Sequence, residues 1–345
     1  MNDVRHGTSM DMFDITKFLL SMFVVAIHIP LLPNLINPVI RTAVPLFFMM
    51  SSYFFWRKVL TLRYDRQPEV LGRFLKRNLR LYGFWFVALL PITLKVRGYF
   101  SGSILSGLLR LVQDLLFYST FRASWYIMAL CIGMVIIFYV SRKISDGVLL
   151  VVSGLIHLIM CLFSNYYGLI EGCGPIVAAE EAYKAVFVTV CNSFPVSFLW
   201  ILLGKRFAEG KIGLSRGCSI LITALSFVVV CVEHVLVLRY DLRAAATDYY
   251  VFLVPLCIGL FSLIQHAEVR CKCAPVLRKM STIMYVLHSS AIVITSLVCR
   301  RLLGLGGVGA DLLEFLMVIL LCIAASVVFL KLEDKRGFHW LRWAR

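Results

Sequence analysis

The stretch from Lys17 to His28, "KFLLSMFVVAIH", decides how the chain is read. A lysine and a histidine close off a run that is apolar except for Ser21. Such a run reads as a membrane span, and both end groups are costly in hydrocarbon. Ionisable residues within spans face the bundle interior and mark paths for substrate or protons. Eleven steps of about 100° place Lys17 and His28 within about 20° of one another. At ~1.5 Å per residue they stand about 16 Å apart along the axis. Asp14, Ser21 and Val24 share roughly that face. The stretch therefore predicts a membrane helix carrying one polar stripe. A plainer reading stands beside this one. Lys17, one turn from the helix end, can snorkel to the boundary with Asp14 as its partner. His28 is too deep for that, and is either a working group or a satisfied structural histidine.

The composition agrees with a membrane protein. Of 345 residues, 60% are hydrophobic and 16% charged, and the mean hydropathy is +0.86. So few charges cannot cover a water-soluble surface of this size. The net charge of +16 sits in short segments between apolar runs, where it encodes topology rather than nucleic-acid binding. The eleven cysteines are scattered through apolar runs, as small hydrophobes are. Cys271-Lys-Cys273 lacks the spacing of a zinc site, and the seven histidines show no ligand pattern, so no metal is expected. The acidic segment before the first run, with no small-residue cleavage site after it, reads as leading into a retained span, not as a signal peptide.

Spans of about 20 apolar residues are expected at 13–32, 39–56, 79–96, 125–141, 147–163, 185–203, 218–237, 250–265, 282–299 and 311–331. The segment 104–118 mixes Arg110, Gln113 and Asp114 with leucines and predicts an amphipathic helix lying at the interface. Ten spans put both termini on one side. Lys and Arg concentrate in the segments that share a side with the N-terminus; "RKVLTLRYDRQPEVLGRFLKRNLR" (57–80) alone holds eight. That side is cytoplasmic by the positive-inside rule. The expected architecture is an all-α polytopic bundle, a single membrane domain over 1–345 with a short basic cytoplasmic tail at 332–345.

Several segments carry a family resemblance, in order along the chain. "FDITKFLLSMFVVAIHIPLLP" resembles the first span of membrane acyltransferase family 3, in which a basic residue precedes a histidine by ten intervening residues. Lys17 in place of the commoner arginine resembles a subgroup that includes the membrane half of serine racemases. "AVPLFFMMSSYFF" (43–55) is similar to the family's F-F-x-x-S-G segment, with Ser52 where glycine is usual. "RFLKRNLRLY" (73–82) resembles its R-x-x-R motif through Arg77 and Arg80. "SWYIMAL" (124–130) and "MYVLHSS" (284–290) resemble its later W-[FY]-[LI] and Y-L-x-H segments.

The resemblance implies transfer of an acyl group, usually acetyl, from cytoplasmic acyl-CoA to a hydroxyl of a cell-surface or lipid-linked saccharide, in a bacterial inner membrane. No bound cofactor is implied; acetyl-CoA is a co-substrate. The acceptor hydroxyl must lose a proton as it attacks the thioester, and a neutral histidine suits that task. His28 is the candidate base, or alternatively a transient acyl carrier. Lys17 is the candidate to attract donor phosphates, with Asp14 holding it. Arg73, Lys76, Arg77 and Arg80 fall along one helical flank and suit phosphate, arginine through its bidentate fork. Ser51, Ser52, Tyr285 and His288 are assigned to the donor path. Trp125, Tyr126 and Glu233 are candidates for the acceptor side, Glu233 without support from the resemblance. The competing function is a transporter or flippase that moves a polar solute or glycan along the Lys17–His28 stripe without making bonds.

Overall fold

In the computed structural model of the chain, residues 10–29, 33–99, 102–119, 125–243 and 248–344 are described. The structure is about 80% helical, with no strand among the described residues. The helices are α1 (Met10–His28), α2 (Pro33–Ile40), α3 (Ala43–Val59), α4 (Gln67–Arg97), α5 (Ile104–Gln113), α6 (Trp125–Val140) and α7 (Asp146–Phe163). They continue with α8 (Gly174–Phe187), α9 (Phe198–Ala208), α10 (Arg216–Arg239), α11 (Leu253–His266), α12 (Ala274–Ser296) and α13 (Gly307–Glu333). Short π turns follow α5 and α12, and a 3-10 turn covers His339–Ala344.

Among the described residues, five stretches are long and apolar enough to cross a membrane: Ile36–Val59, Asp146–Phe163, Arg216–Arg239, Ala274–Leu302 and Gly307–Glu333. The protein is therefore a membrane protein. The helices α6 and α11 are apolar but shorter, and α1 carries Asp11, Asp14 and Lys17 within its 19 residues. Exposed leucines and valines along α7, α10 and α13 fit helices whose outer faces meet lipid.

Most expected spans coincide with a helix to within a few residues. The sixth, 185–203, does not: α8 stops at Phe187 and α9 starts at Phe198. Val188 has φ of 70°, a left-handed backbone that a β-branched residue adopts only under strain, and Pro195 lacks the N–H a continuous helix needs. The Gln113 side-chain amide donates to the carbonyls of Ala185 and Val186 at 2.7 and 3.0 Å, satisfying the end of α8 from outside it.

The segment 104–118, expected as an amphipathic helix, is helical throughout but changes character at Asp114. The helix α5, capped at its start by the Ser103 hydroxyl, gives way to a π turn at Asp114–Tyr118. Asp114 does not belong to a solvent-facing stripe. It is buried and takes a bidentate salt bridge from Arg97, with Nη2 to Oδ1 at 2.7 Å. The Tyr99 hydroxyl donates to it as well. Burial and the Asp114 carboxylate push the Tyr99 phenol up to about 12, so it remains a donor at neutral pH. Ile104, Leu105, Leu108, Leu109 and Val112 are exposed, as an interfacial helix requires.

The chain divides into two compact units. The first comprises Met1–Phe47, Ile212–Val230 and Phe252–Val328; the second comprises Phe48–Lys211, Cys231–Val251 and Phe329–Arg345. The first is organised by α1 lying against α12, with Val25, Ile29, Met284, Ala291, Val318 and Cys322 buried together. In the second, α3 and α9 approach closely at Gly204. A Cβ there would stand 2.4 Å from the Met49 carbonyl oxygen, so no larger residue fits without moving a helix. This is the small-residue contact by which membrane helices pack.

Candidate active site

In the first unit, α1 and α12 run parallel. Their contacts climb together: Asp11 Oδ2 accepts from the Cys271 amide at 2.8 Å, Asp14 meets Arg278 at 3.5 Å, and the Ser21 hydroxyl reaches the Met284 sulfur at 3.1 Å. Further along the pair, the His28 and His288 rings stack, with centroids 5.1 Å apart and planes 22° apart. Small or polar groups at turn-long intervals on one face of each helix let the two pack closely.

The stripe expected from the opening stretch is present. Asp14, Ser21 and Val24 are buried, and Lys17 and His28 are half-buried. Asp14 is not held by Lys17 alone: both Arg278 and Lys17 place positive charge against its carboxylate. Sequence reasoning missed Arg278, because a cation near a helix start on the basic side reads as a topology signal.

His288 is fully buried. Its Nδ1 lies 2.7 Å from the Tyr285 carbonyl oxygen. A carbonyl only accepts, so Nδ1 carries the proton and Nε2 holds a lone pair. The Ser289 hydroxyl stands 3.4 Å from that Nε2, a long contact. The half-buried Tyr285 ring lies against His288 and against Phe47, with centroids 6.2 and 6.4 Å apart. Tyr285 and His288 were assigned by sequence to the donor path; the structure stacks His288 on His28 and sets Tyr285 beside His288.

The remaining candidates belong to the second unit. Arg73, Lys76, Arg77 and Arg80 all lie on one exposed flank of α4, while Val70, Leu71 and Tyr82 are buried. Arg73 pairs with Glu69 at 3.5 Å, a solvent-exposed pair of little weight. The Ser51 and Tyr126 hydroxyls meet at 3.0 Å, and Phe48 packs on the Trp125 and Tyr126 rings at 6.4 and 4.4 Å. Arg77 is within electrostatic reach of the Tyr126 hydroxyl. Ser51 and Tyr126, given separate tasks by sequence, are thus hydrogen-bonded to each other. Ser124, at the start of that motif, lies outside the described residues.

Two assignments change. Ser52 is fully buried and its hydroxyl donates to the Ile201 carbonyl at 2.6 Å, so it serves the α3–α9 contact rather than a donor path. The close approach expected of a glycine at 52 comes from Gly204 on the facing helix instead. Glu233 is buried, and its Oε1 accepts from the Tyr166 hydroxyl and the Val251 amide, both at 2.6 Å. Those bonds make it an anchor for the segment after α10. Burial and the Glu233 carboxylate together raise the Tyr166 phenol well above its ordinary range, so it stays the donor.

Comparison with known proteins covers nearly the whole chain. An amino-acid racemase of Enterococcus faecalis is 25% identical over 347 aligned residues, covering 94% of this chain. The chain spans 46% of that relative's length. No solved structure matches. The model of the acyltransferase domain of acyltransferase family 3 matches residues 11–331, and with the polar stripe, the basic flank of α4 and the late histidine segment all inside that range, the chain belongs to acyltransferase family 3.

Proposed function

We propose that the chain is an integral membrane O-acyltransferase of a bacterial plasma membrane. It moves an acetyl group from cytoplasmic acetyl-CoA to a hydroxyl of a cell-surface or lipid-linked saccharide. The observation that carries this reading is the stacked His28–His288 pair on two parallel helices, in a chain of an acyltransferase family.

His28, the more accessible ring, takes the proton of the acceptor hydroxyl. The freed oxygen attacks the thioester carbonyl, the carbon–sulfur bond breaks, and the departing thiolate recovers that proton as the coenzyme leaves as a thiol. His288 positions His28. Its Nδ1–H is committed to the Tyr285 carbonyl, which fixes its ring against that of His28. A neutral His28 is the form a base requires. The exposed arginines of α4 supply phosphate recognition for the donor, and Lys17 adds positive charge on the His28 face.

One observation favours a second reading, a carrier for a polar solute. The relative of which this chain spans 46% is named as an amino-acid racemase, not as an acyltransferase. A membrane domain that feeds solute to a separate catalytic part would share the polar stripe. Purified protein given labelled acetyl-CoA distinguishes the two. Release of free coenzyme A that depends on His28 supports acyl transfer; solute uptake into vesicles without acyl-CoA, with no thioester cleavage, supports the carrier.

A further inference from the structure

The C-terminal 3-10 turn His339–Ala344 packs on α4 and brings aromatic rings to its basic flank. The Arg80 guanidinium lies over the Trp343 ring, 5.5 Å from its centroid. Along the same helix Phe84 meets Trp340 at 5.8 Å. Buried Leu341 fastens the turn, yet Trp343 remains 53% exposed. An indole has two faces. Arg80 lies over one, and with the residue 53% exposed there is accessible surface for a second planar group. Arg77 and Arg73 stand one and two turns back from Arg80 on the same exposed flank.

A flat aromatic face beside several arginines suits a ligand that is itself flat and multiply anionic. We propose that Trp343 and Arg80 form a nucleotide subsite, in which a purine stacks on the open face of Trp343 and its phosphates take the guanidinium forks of Arg80 and Arg77. Under the donor reading above, on which this inference rests, the ligand is the adenosine 3′-phosphate end of coenzyme A. Trp343 then reads the nucleotide, far in chemistry from the reacting thioester. Tryptophan and arginine also gather at membrane boundaries, where they meet lipid headgroups. That role asks only for depth; it does not need a phosphate-binding guanidinium laid on the ring.

The test uses the full chain in nanodiscs of neutral lipid, and again with anionic lipid added. Wild type, Trp343→Ala and Trp343→Phe are titrated calorimetrically with adenosine 3′,5′-bisphosphate, coenzyme A and pantetheine. The expected result is that Trp343→Ala weakens bisphosphate and coenzyme A binding about fivefold or more. Trp343→Phe, which keeps a flat ring, recovers most of the loss, and pantetheine binding is unchanged in all three. Unaltered nucleotide affinity in Trp343→Ala overturns the subsite. So does an equal loss for pantetheine, or a loss seen only with anionic lipid, which marks a headgroup anchor. Wild type that binds no coenzyme A removes the donor reading and this inference together, whereas wild-type binding that Trp343→Ala leaves intact removes this inference alone.

Discussion

At the scale of single residues, His28 and Lys17 were legible because helical period needs no tertiary information. The stripe they define exists, with Asp14 and Ser21 buried on it. The partner of His28 was not legible. His288 lies 260 positions away, and only parallel packing of α1 on α12 brings the two rings into a stack. Arg278 was hidden for a similar reason: charge at a helix end looks the same whether it sets topology or holds a buried carboxylate. The positioning role of His288 has its own expected signature. Replacing His288 by Phe keeps a flat ring of similar size but removes both nitrogens. Steady-state kinetics should show kcat reduced about tenfold or more with the KM for acetyl-CoA little changed. A change confined to KM would return His288 to donor binding.

Elements were largely readable from hydropathy, since a span announces itself by length and apolarity. The failures are instructive. The break after Phe187 falls in "VFVTVCNSFP", which is apolar enough to pass as a continuous span. The helix ends there through the left-handed Val188 and through capping by Gln113, 75 positions upstream. Asp114 was read only as one polar member of an interfacial helix, because its partner Arg97 lies 17 positions upstream on another helix. The α3–α9 contact shows how a local exchange is absorbed: a serine stands at 52, and the facing helix supplies glycine at 204. Gly204→Val should therefore lower stability by about 1–3 kcal/mol through overpacking, read as a reduced melting temperature in detergent. Gly154→Ala, on α7 with nothing within 4 Å of the added carbon, should leave that temperature unchanged or raise it. Equal behaviour of the two variants would refute the close approach.

At the scale of the whole molecule, the proposed orientation rests on where lysine and arginine accumulate. Three cysteines, Cys173, Cys218 and Cys273, are exposed, and two of them make a direct test. Cys173 lies in a segment expected outside and Cys273 in one expected inside. In variants retaining one cysteine each, a membrane-impermeant maleimide should label Cys173 in intact spheroplasts. Cys273 should react only after permeabilisation. The reverse pattern would invert the topology and remove cytoplasmic acyl-CoA from the account. The enzyme reading itself depends most on one side chain. Purified chain in nanodiscs, given labelled acetyl-CoA and an envelope saccharide extract, would be assayed for thiol release and label transfer, comparing wild type with His28→Ala at matched melting temperature and coenzyme A affinity. The account predicts a loss of about a hundredfold or more in kcat; full activity in His28→Ala would contradict it.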